Sequence, residues 1–376
     1  MSKLGIICLF LFVLGVVSGI AQTKSVELPM KFRDGMPAIE VMVNGQGPFL
    51  FAIDTGGQGD ARADTTLVEK LSLKKVGEAR AGDSSGTNVR VLDLVGIDSI
   101  KIGEFEFKNL QALTRNYNGR GSVEIHGILG FNLFKDHLLT LDYPAKKVRI
   151  EEGSLPEANG KDIINFENPR GIPVIEVGIG GQTVKAHIDS GNSVGGFILP
   201  TAIVEKSQLA SEPRVVGTAQ TVTNTFEIKE VKLKDAIRLG SFEFTEPTVS
   251  YPAPSNTNIG ASVLRDFVLT FDQKNKRVKL DKKMWKDAPV AAGNSNSSFQ
   301  EYVGQYGDRT VSTDGTTLFI QRPNGMKVKL LDVAKDEFKP EPAPNARIKF
   351  IRDESGKVVE INVLTPAGTW EKAKKG

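Results

Sequence analysis

The sequence predicts an all-β protein made of two similar halves followed by a smaller β domain. Three observations lead to this expectation: short alternating apolar and polar runs dominate the chain, helix-forming stretches are few, and three sequence blocks recur in the same order. With 376 residues, 40% of them hydrophobic and 25% charged, the chain is long enough for two or three domains.

The three repeated blocks indicate a duplicated domain. "GMPAIEVMVNGQ" matches "GIPVIEVGIGGQ", and further along the chain "IKIGEFEF" matches "IRLGSFEF". A third match, without a gap, joins residues 129–150 to residues 259–280. The three blocks occur in the same order in both halves, and the two copies of each block are 130 to 137 residues apart. Chance similarity between β-rich segments does not explain this arrangement. We therefore predict two lobes, residues 22–155 and 156–285.

Each half is composed mainly of strand-like segments. In the first half these are "PAIEVMV", "FLFAI", "VRVLDLVGI", "IKIGEFEF" and "LLTLDY", and similar segments follow in the second half. The helical signal is limited to "TTLVEKL", its counterpart "PTAIVEKS", and short turns near "FNLFKD" and "ASVLRDF".

The N-terminal segment has the pattern of a secretory signal peptide, predicted over residues 1–21. An apolar run from Leu4 to Val17 follows a basic residue, and small residues precede a cleavage point after Ala21. An uncleaved anchor is the alternative, but the run is shorter than the roughly 18 to 20 apolar residues of a spanning helix. The only cysteine, Cys8, lies in this segment, which excludes disulfides in the mature chain. We expect an exported, soluble protein, periplasmic or extracellular and free of the membrane after signal cleavage.

Charge and histidine spacing exclude several classes of function. The net charge is +3, and positive and negative residues are interspersed, which argues against nucleic-acid binding. The three histidines, His126, His137 and His187, lack the spacing of metal ligands, so we predict neither a metal site nor a cofactor. His187 shares a strand face with an acidic residue two positions later, and could tune its acidity or simply pack or face solvent.

A short acidic motif occurs once in each half, at equivalent positions. The two copies are Asp54-Thr55-Gly56 and Asp189-Ser190-Gly191. A single motif of this kind is usually a turn. Here each copy follows an apolar strand, so each Asp would lie at the inner end of a buried strand. A buried carboxylate is costly unless it is paired and hydrogen-bonded.

Two lobes that face each other would bring these carboxylates together. Like charges in contact share one proton, so one carboxylate can act as a base toward water while the other, protonated, polarises a carbonyl. Thr55 and Ser190 can hydrogen-bond across the lobe interface. Gly56 and Gly191 leave space for the two loops and offer N–H donors.

With these motifs, the chain resembles the aspartic proteases of the pepsin and retropepsin superfamily, over about Val26 to Lys283. That family pairs each acidic motif with a later segment of two apolar residues and a glycine. The matching segments are Ile128-Leu129-Gly130 and Asn258-Ile259-Gly260, the second with a polar first residue. The resemblance implies two pseudo-twofold-related, retropepsin-like β-barrel lobes, the acid protease fold. It also implies a monomeric endopeptidase that cleaves peptides or unfolded proteins with Asp54 and Asp189.

Some residues depart from the family pattern. Gly57 and Gln58 follow the first motif where the family usually has Ala or Ser and a small polar residue, and Asp60 adds an acid that could alter the acidity of the pair or face solvent. The candidate for the flap over the substrate is the turn Ser84-Ser85-Gly86-Thr87, with residues 217–224 as its counterpart. Neither turn has a Tyr at its tip. These departures leave open a catalytically silent peptide-binding or scaffold protein.

The C-terminal part has a different character. Residues 286–298 are small and polar, which is typical of a linker. Residues 299–376 alternate through short strands separated by Asp-Gly, Asn-Gly and Ser-Gly turns. This part resembles the small β module appended to some bacterial β-lactamase-like serine hydrolases and begins with the similar stretch "YVGQY". We interpret it as an accessory β domain that packs on the rest of the chain or binds a partner.

Overall fold

A computed structural model describes most of the chain. The described residues are 23–33, 35–81, 90–118, 124–192, 195–220, 225–253, 257–283, 299–315, 317–322, 327–334, 336–340, 347–364 and 370–376. The predicted signal peptide, the linker, the flap candidate Ser84 to Thr87 and part of its counterpart lie outside these residues. The prediction of an all-β protein is confirmed, since strands account for most of the regular structure. Within the described ranges no helix has the length and apolar character to cross a membrane.

The first half contains eleven described strands. They are β1 (Ser25–Pro29), β2 (Lys31–Arg33), β3 (Met36–Val43), β4 (Gln46–Asp54), β5 (Ala61–Asp64), β6 (Lys75–Ala81), β7 (Arg90–Ile102), β8 (Phe105–Arg115), β9 (Gly127–Gly130), β10 (Leu138–Asp142) and β11 (Lys147–Glu151). Helix α1 spans Thr65–Leu71, and a 3-10 turn spans Phe131–Phe134.

The second half repeats much of this order. Its described strands are β12 (Ile163–Asn165), β13 (Val174–Ile179), β14 (Gln182–Ile188), β15 (Phe197–Ile198), β16 (Arg214–Gln220), β17 (Thr225–Lys232), β18 (Ile237–Leu239), β19 (Phe242–Phe244), β20 (Thr248–Tyr251), β21 (Thr257–Ile259), β22 (Phe267–Asp272) and β23 (Arg277–Lys282). Two short helices, α2 (Thr201–Val204) and α3 (Ala261–Leu264), and a 3-10 turn at Pro169–Gly171 connect them.

In the first half, strands β2 to β9 form one sheet in the order β2-β3-β4-β9-β5-β8-β7-β6. The hairpin between β3 and β4 turns at Asn44 and Gly45, both at positive φ, the conformation that Asn-Gly favours between twisted strands. Successive side chains of β4 point to opposite faces of the sheet. Phe49, Phe51 and Ile53 enter the core, so Asp54 and Ala52 lie on the opposite face.

A nine-stranded sheet in the second half has the order β16-β17-β20-β15-β21-β14-β13-β18-β19. At its centre β14 pairs in parallel with β21, just as β4 pairs in parallel with β9 in the first half. The acidic motif of each half therefore begins where the first strand of a central parallel pair ends.

A third sheet, ordered β1-β11-β10-β22-β23-β12, takes strands from both halves. β10 and β22 are antiparallel neighbours in which Thr140 lies opposite Thr270, and their hydroxyl groups are 3.0 Å apart. One continuous core, from Met30 to Leu280, runs through both halves. The shared sheet fixes the two halves relative to each other.

The repeated blocks "IKIGEFEF" and "IRLGSFEF" are hairpins and not single strands. The chain turns at Gly103 and Gly240, with φ of 56° and 58°, so each block contributes to two antiparallel strands. The apolar alternation continues across each glycine, which is why the pattern alone did not locate the turn.

Residues 299–376 form a sheet with a separate core. A 3-10 turn at Phe299–Tyr302 precedes the strands β24 (Gly304–Tyr306), β25 (Arg309–Thr313), β26 (Leu318–Gln321), β27 (Val328–Ala334), β28 (Glu337–Pro340), β29 (Arg347–Arg352), β30 (Val358–Leu364) and β31 (Trp370–Lys374). These strands pair in chain order, and the Gly376 N–H donates to the Gln305 carbonyl at 2.9 Å, joining the last strand to the first. Tyr302, Phe338 and Phe350 are central to the core.

Truncating Phe271 should destabilise the first and second halves together. Phe271 is fully buried on β22 and packs against Phe131 of the first half, with ring centroids 5.1 Å apart. We expect Phe271→Ala to lower the free energy of unfolding by about 3–5 kcal/mol, measured by urea denaturation. Val76→Ala is the matched control, because Val76 is 53% exposed. An equal effect of both substitutions would contradict a shared core.

Candidate active site

The two acidic motifs meet where the halves face each other. Asp54 is the last residue of β4 and lies in register with Gly130 on β9. Asp189 follows β14, and its N–H donates to the carbonyl of Ile259 at 3.0 Å. Each carboxylate is therefore anchored by a backbone pair of its own half before any contact with the other half.

Thr55 and Ser190 join the two motifs by reciprocal hydrogen bonds. The Thr55 N–H donates to Ser190 Oγ at 2.9 Å, and the Ser190 N–H donates to Thr55 Oγ1 at 2.9 Å. Each hydroxyl also donates to a carbonyl of the opposite half: Thr55 to Ile188 at 2.7 Å, and Ser190 to Ile53 at 2.8 Å. Both side chains are fully buried. Because each hydroxyl both accepts and donates, the two small polar residues are satisfied without water.

Gly56 and Gly191 allow each motif to approach the opposite carboxylate. A Cβ on Gly56 would lie 2.4 Å from the Asp189 carboxyl carbon, and a Cβ on Gly191 would lie 2.3 Å from Asp54 Oδ1. These distances are too short for any side chain. The reciprocal contacts bring both carboxyl groups into one small space between the loops.

Asp54 lies in an environment that favours its protonated form. Its side chain is 13% exposed. Burial and the negative charge of Asp189 raise its pKa to about 6, while Arg62 and the N–H groups of Gly56 and Gly57 act in the opposite direction. Arg62 Nη1 lies 3.3 Å from Asp54 Oδ2. A carboxyl group with this pKa can keep its proton in mildly acidic solution.

Asp189 is surrounded by hydrogen-bond donors. Its Oδ1 accepts from the N–H groups of Gly191 and Asn192, at 2.9 and 3.1 Å. Its Oδ2 accepts from the side-chain amide of Asn258 at 2.7 Å. Asn192 in turn donates to Asn258 Oδ1 at 2.7 Å, which fixes the orientation of that amide. An ionised carboxylate accepts hydrogen bonds only, so this set of donors suits the charged form of Asp189.

The two glycine-ending segments support the motif loops. Ile128 and Leu129 lie beside Ala52 and Ile53 on β4. Gly130 donates to the Asp60 carbonyl at 2.9 Å, and Gly260 donates to the Gly196 carbonyl at 2.8 Å. The glycines are required here: a Cβ on Gly130 would lie 2.1 Å from the Gly59 carbonyl, and one on Gly260 would lie 2.5 Å from the Gly195 carbonyl.

The other acidic and histidine residues named from the sequence have neighbours of their own. Asp60 accepts a hydrogen bond from the Asn132 amide. His126 and His137 pack against phenylalanine rings, while His187 lies opposite Asn258 in the β14–β21 register. Among the residues that the structure describes, no cluster of three His, Cys, Asp or Glu side chains could hold a metal.

Sequence reasoning missed Arg62 and gave Asn258 no role. Arg62 is eight residues after Asp54, in "ARAD", which has no recognisable signal until β5 is known to pair with β9. Asn258 was visible as a polar residue at an apolar position of the second glycine-ending segment, and its contact with Asp189 now accounts for it.

Comparison with known families gives a match to part of the chain. Residues 39–133 match the model of a family described as aspartyl protease. The matched range contains the first acidic motif and the segment Ile128-Leu129-Gly130. The match supports an aspartyl-protease, retropepsin-like family and a peptidase type of function for this part of the chain. No curated protein matches the chain.

Adding one methyl group to Gly56 should disturb the carboxyl pair. We expect Gly56→Ala to lower the free energy of unfolding by about 1–3 kcal/mol, because the new Cβ would overlap Asp189. Gly77→Ala is the control, since a Cβ there would meet only Leu94 Cδ1 at 4.0 Å. Chemical denaturation of the three proteins measures the difference. A Gly56→Ala protein as stable as the control would argue against the close approach of the loops.

The raised pKa of Asp54 predicts a pH-dependent effect of Asp54→Asn on stability. The folded protein holds this proton up to a pKa of about 6, above the value of about 3.9 in an unfolded chain. The stability that Asp54 contributes is thus complete below about pH 4 and is lost as the pH rises through 6. Asn cannot ionise. At pH 7 the variant should be more stable than the wild type, by up to about 3 kcal/mol.

Urea denaturation of both proteins from pH 4 to pH 7 provides the measurement, and Asp98→Asn, at an exposed position, serves as the control. The difference between the wild type and Asp54→Asn should shrink toward pH 4. A difference that does not change with pH would contradict the raised pKa.

Proposed function

We propose that the chain is an exported aspartic endopeptidase that hydrolyses peptide bonds with Asp54, Asp189 and a water molecule between them. The observation that carries the proposal is the reciprocal contact in which Gly56 lies against Asp189 and Gly191 against Asp54. It brings together two carboxyl groups that differ in their surroundings, as acid and base catalysis requires. The aspartyl-protease match of residues 39–133 supports the same class of reaction.

The surroundings of the two carboxyl groups suggest a role for each. Asp189, with three donors, is the ionised base that takes a proton from the water as the water oxygen attacks the peptide carbonyl carbon. Asp54, whose pKa is raised to about 6, donates its proton to the carbonyl oxygen. The tetrahedral diol then collapses. Asp54 takes a proton from one hydroxyl group of the diol, Asp189 gives the proton it took from water to the amide nitrogen, and the C–N bond breaks. No metal ion or cofactor takes part in this scheme.

The architecture we propose is the acid protease fold, with two retropepsin-like lobes that arose by duplication. The repeated sequence blocks and the equivalent parallel pairs β4–β9 and β14–β21 support it. The lobes would comprise residues 22–155 and 156–285, joined through residues 286–298 to an accessory β domain at 299–376. The substrates would be peptides or unfolded proteins, cleaved by a monomer in the periplasm or outside the cell after removal of residues 1–21.

Cleavage of an unfolded protein tests the proposal. The mature chain should degrade reduced, carboxymethylated α-lactalbumin between about pH 3 and 7, and a pepstatin-type inhibitor should block it. Asp54→Asn and Asp189→Asn should each reduce turnover by about a thousandfold or more, because one carboxyl group cannot replace both the acid and the base. Gel electrophoresis and mass spectrometry of the products provide the readout.

Asp98→Asn is the matched control, because Asp98 is an exposed carboxylate on β7 and should leave cleavage unchanged. Retained activity in either Asp54→Asn or Asp189→Asn would reject the carboxyl pair as the catalytic centre. A wild-type protein that binds the pepstatin-type inhibitor but cleaves nothing would favour the catalytically silent peptide-binding protein.

A further inference from the structure

We propose that Arg62 forms a binding site for a carboxylate group of the peptide, directly beside Asp54. This inference rests on the proposed function, because it assumes that a peptide lies across the carboxyl pair. The carboxylate could belong to a Glu or Asp side chain or to the free C-terminus of the peptide. Arg62 would then select acidic substrates.

The sheet directs Arg62 toward the same space as Asp54. On β5, Arg62 lies opposite Ile128 of β9, and Ile128 lies beside Ala52 of β4. These three side chains share one face of the sheet with Asp54, since strand residues two apart point the same way. The other face carries Ile53 and Leu129, which belong to the core.

The guanidinium group has donors available for a ligand. It carries five N–H donors, and its described hydrogen bond, with Asp54, uses one of them. Its side chain is 25% exposed, compared with 13% for Asp54, so it lies at the accessible side of the pair. No second carboxylate in the described part of the chain lies within hydrogen-bond distance of it. When Asp54 holds its proton, the positive charge of Arg62 has no ionised neighbour at contact distance among the described residues.

The glycine after the first motif makes room for this arrangement. A Cβ on Gly57 would lie 2.6 Å from Asp54 Oδ2 and 3.0 Å from Arg62 Nη2. A side chain at this position would overlap the Asp54 carboxyl group and crowd the guanidinium group beside it. The departure from the family pattern at Gly57 and the presence of Arg62 are therefore two parts of one local structure.

An apolar wall lies beside Arg62 on this face of the sheet. Ala52, Ile125 and Ile128 form a small buried apolar cluster on this face, with Tyr117 packed against it. Because Ala52, Ile125 and Ile128 are buried, the group that a ligand would meet at the end of this wall is the guanidinium, which suits a carboxylate. Such a wall also lowers the local dielectric, which strengthens the attraction between the two charges.

Arg62 has no cationic counterpart at the equivalent position of the second half. In the second half, Ile198 of β15 lies opposite Asn258 of β21, as Arg62 lies opposite Ile128. The position equivalent to Arg62 is thus apolar. An acidic group would be recognised beside Asp54 and not beside Asp189, so the preference should appear at one region of the peptide.

Binding of matched inhibitors tests the site without requiring turnover. The probes are acetylated hexapeptides with a central statine, each carrying Glu or Gln at one of the flanking positions and a C-terminal amide. A second series carries Gln throughout, with either a free C-terminal carboxylate or an amide. Isothermal titration calorimetry at pH 5.5 measures the dissociation constants. For the wild type we expect a carboxylate at one position, or at the C-terminus, to bind about tenfold more tightly than its neutral partner.

Three variants test whether the preference for a carboxylate depends on Arg62. Arg62→Met should abolish the preference and bring the ratio of dissociation constants close to one, while Arg62→Lys should keep part of it. Arg115→Met removes a nearby exposed cation of β8 and should keep the wild-type ratio, which separates a local contact from general electrostatic attraction.

A ratio near one at every position in the wild type, or a ratio that survives Arg62→Met, would overturn the carboxylate site. If the protein shows this preference but cleaves no peptide, the carboxylate site is supported and only the proposed peptidase activity is rejected.

Discussion

The reciprocal hydrogen bonds between Thr55 and Ser190 are the interaction on which the rest of the site depends. Two carboxyl groups repel each other when both are ionised, and burial makes the repulsion stronger. The four hydrogen bonds at Thr55 and Ser190 hold the loops together from within the protein interior, where water cannot compete. With the backbones fixed in this way, the pair relieves its repulsion by keeping a proton.

The neighbours of each Asp then distinguish the two otherwise similar loops. Asp189 receives the Asn258 amide, which is itself oriented by Asn192. Asp54 has no such amide and lies beside an apolar wall and Arg62. The proton is therefore better placed on Asp54, although Arg62 lowers its pKa. Two similar parallel strand pairs thus hold an asymmetric pair of carboxyl groups, and the asymmetry comes from side chains on the supporting strands and not from the two acidic motifs.

The sequence could predict many of the features that depend on neighbouring residues, but fewer of those that depend on residues far apart in the chain. Strand alternation placed Asp54 at the end of a buried strand, and the hydroxyl and glycine after each Asp were sufficient to expect contacts between the loops. The turns at Gly103 and Gly240 did not interrupt the alternation, so two hairpins were read as strands. Arg62 escaped notice because its position depends on the pairing of β5 with β9, whose partners are 64 to 68 residues apart in sequence.

The position of Arg62 also links recognition to acid–base chemistry. Arg62 lowers the pKa of Asp54, which burial and Asp189 raise. A carboxylate bound to Arg62 would offset part of its positive charge, so the pKa of Asp54 would rise when an acidic ligand binds. By thermodynamic linkage, the proton on Asp54 would in turn strengthen the binding of that ligand. An acidic peptide would then favour the protonation state in which Asp54 can donate to the substrate carbonyl, and a neutral peptide would not.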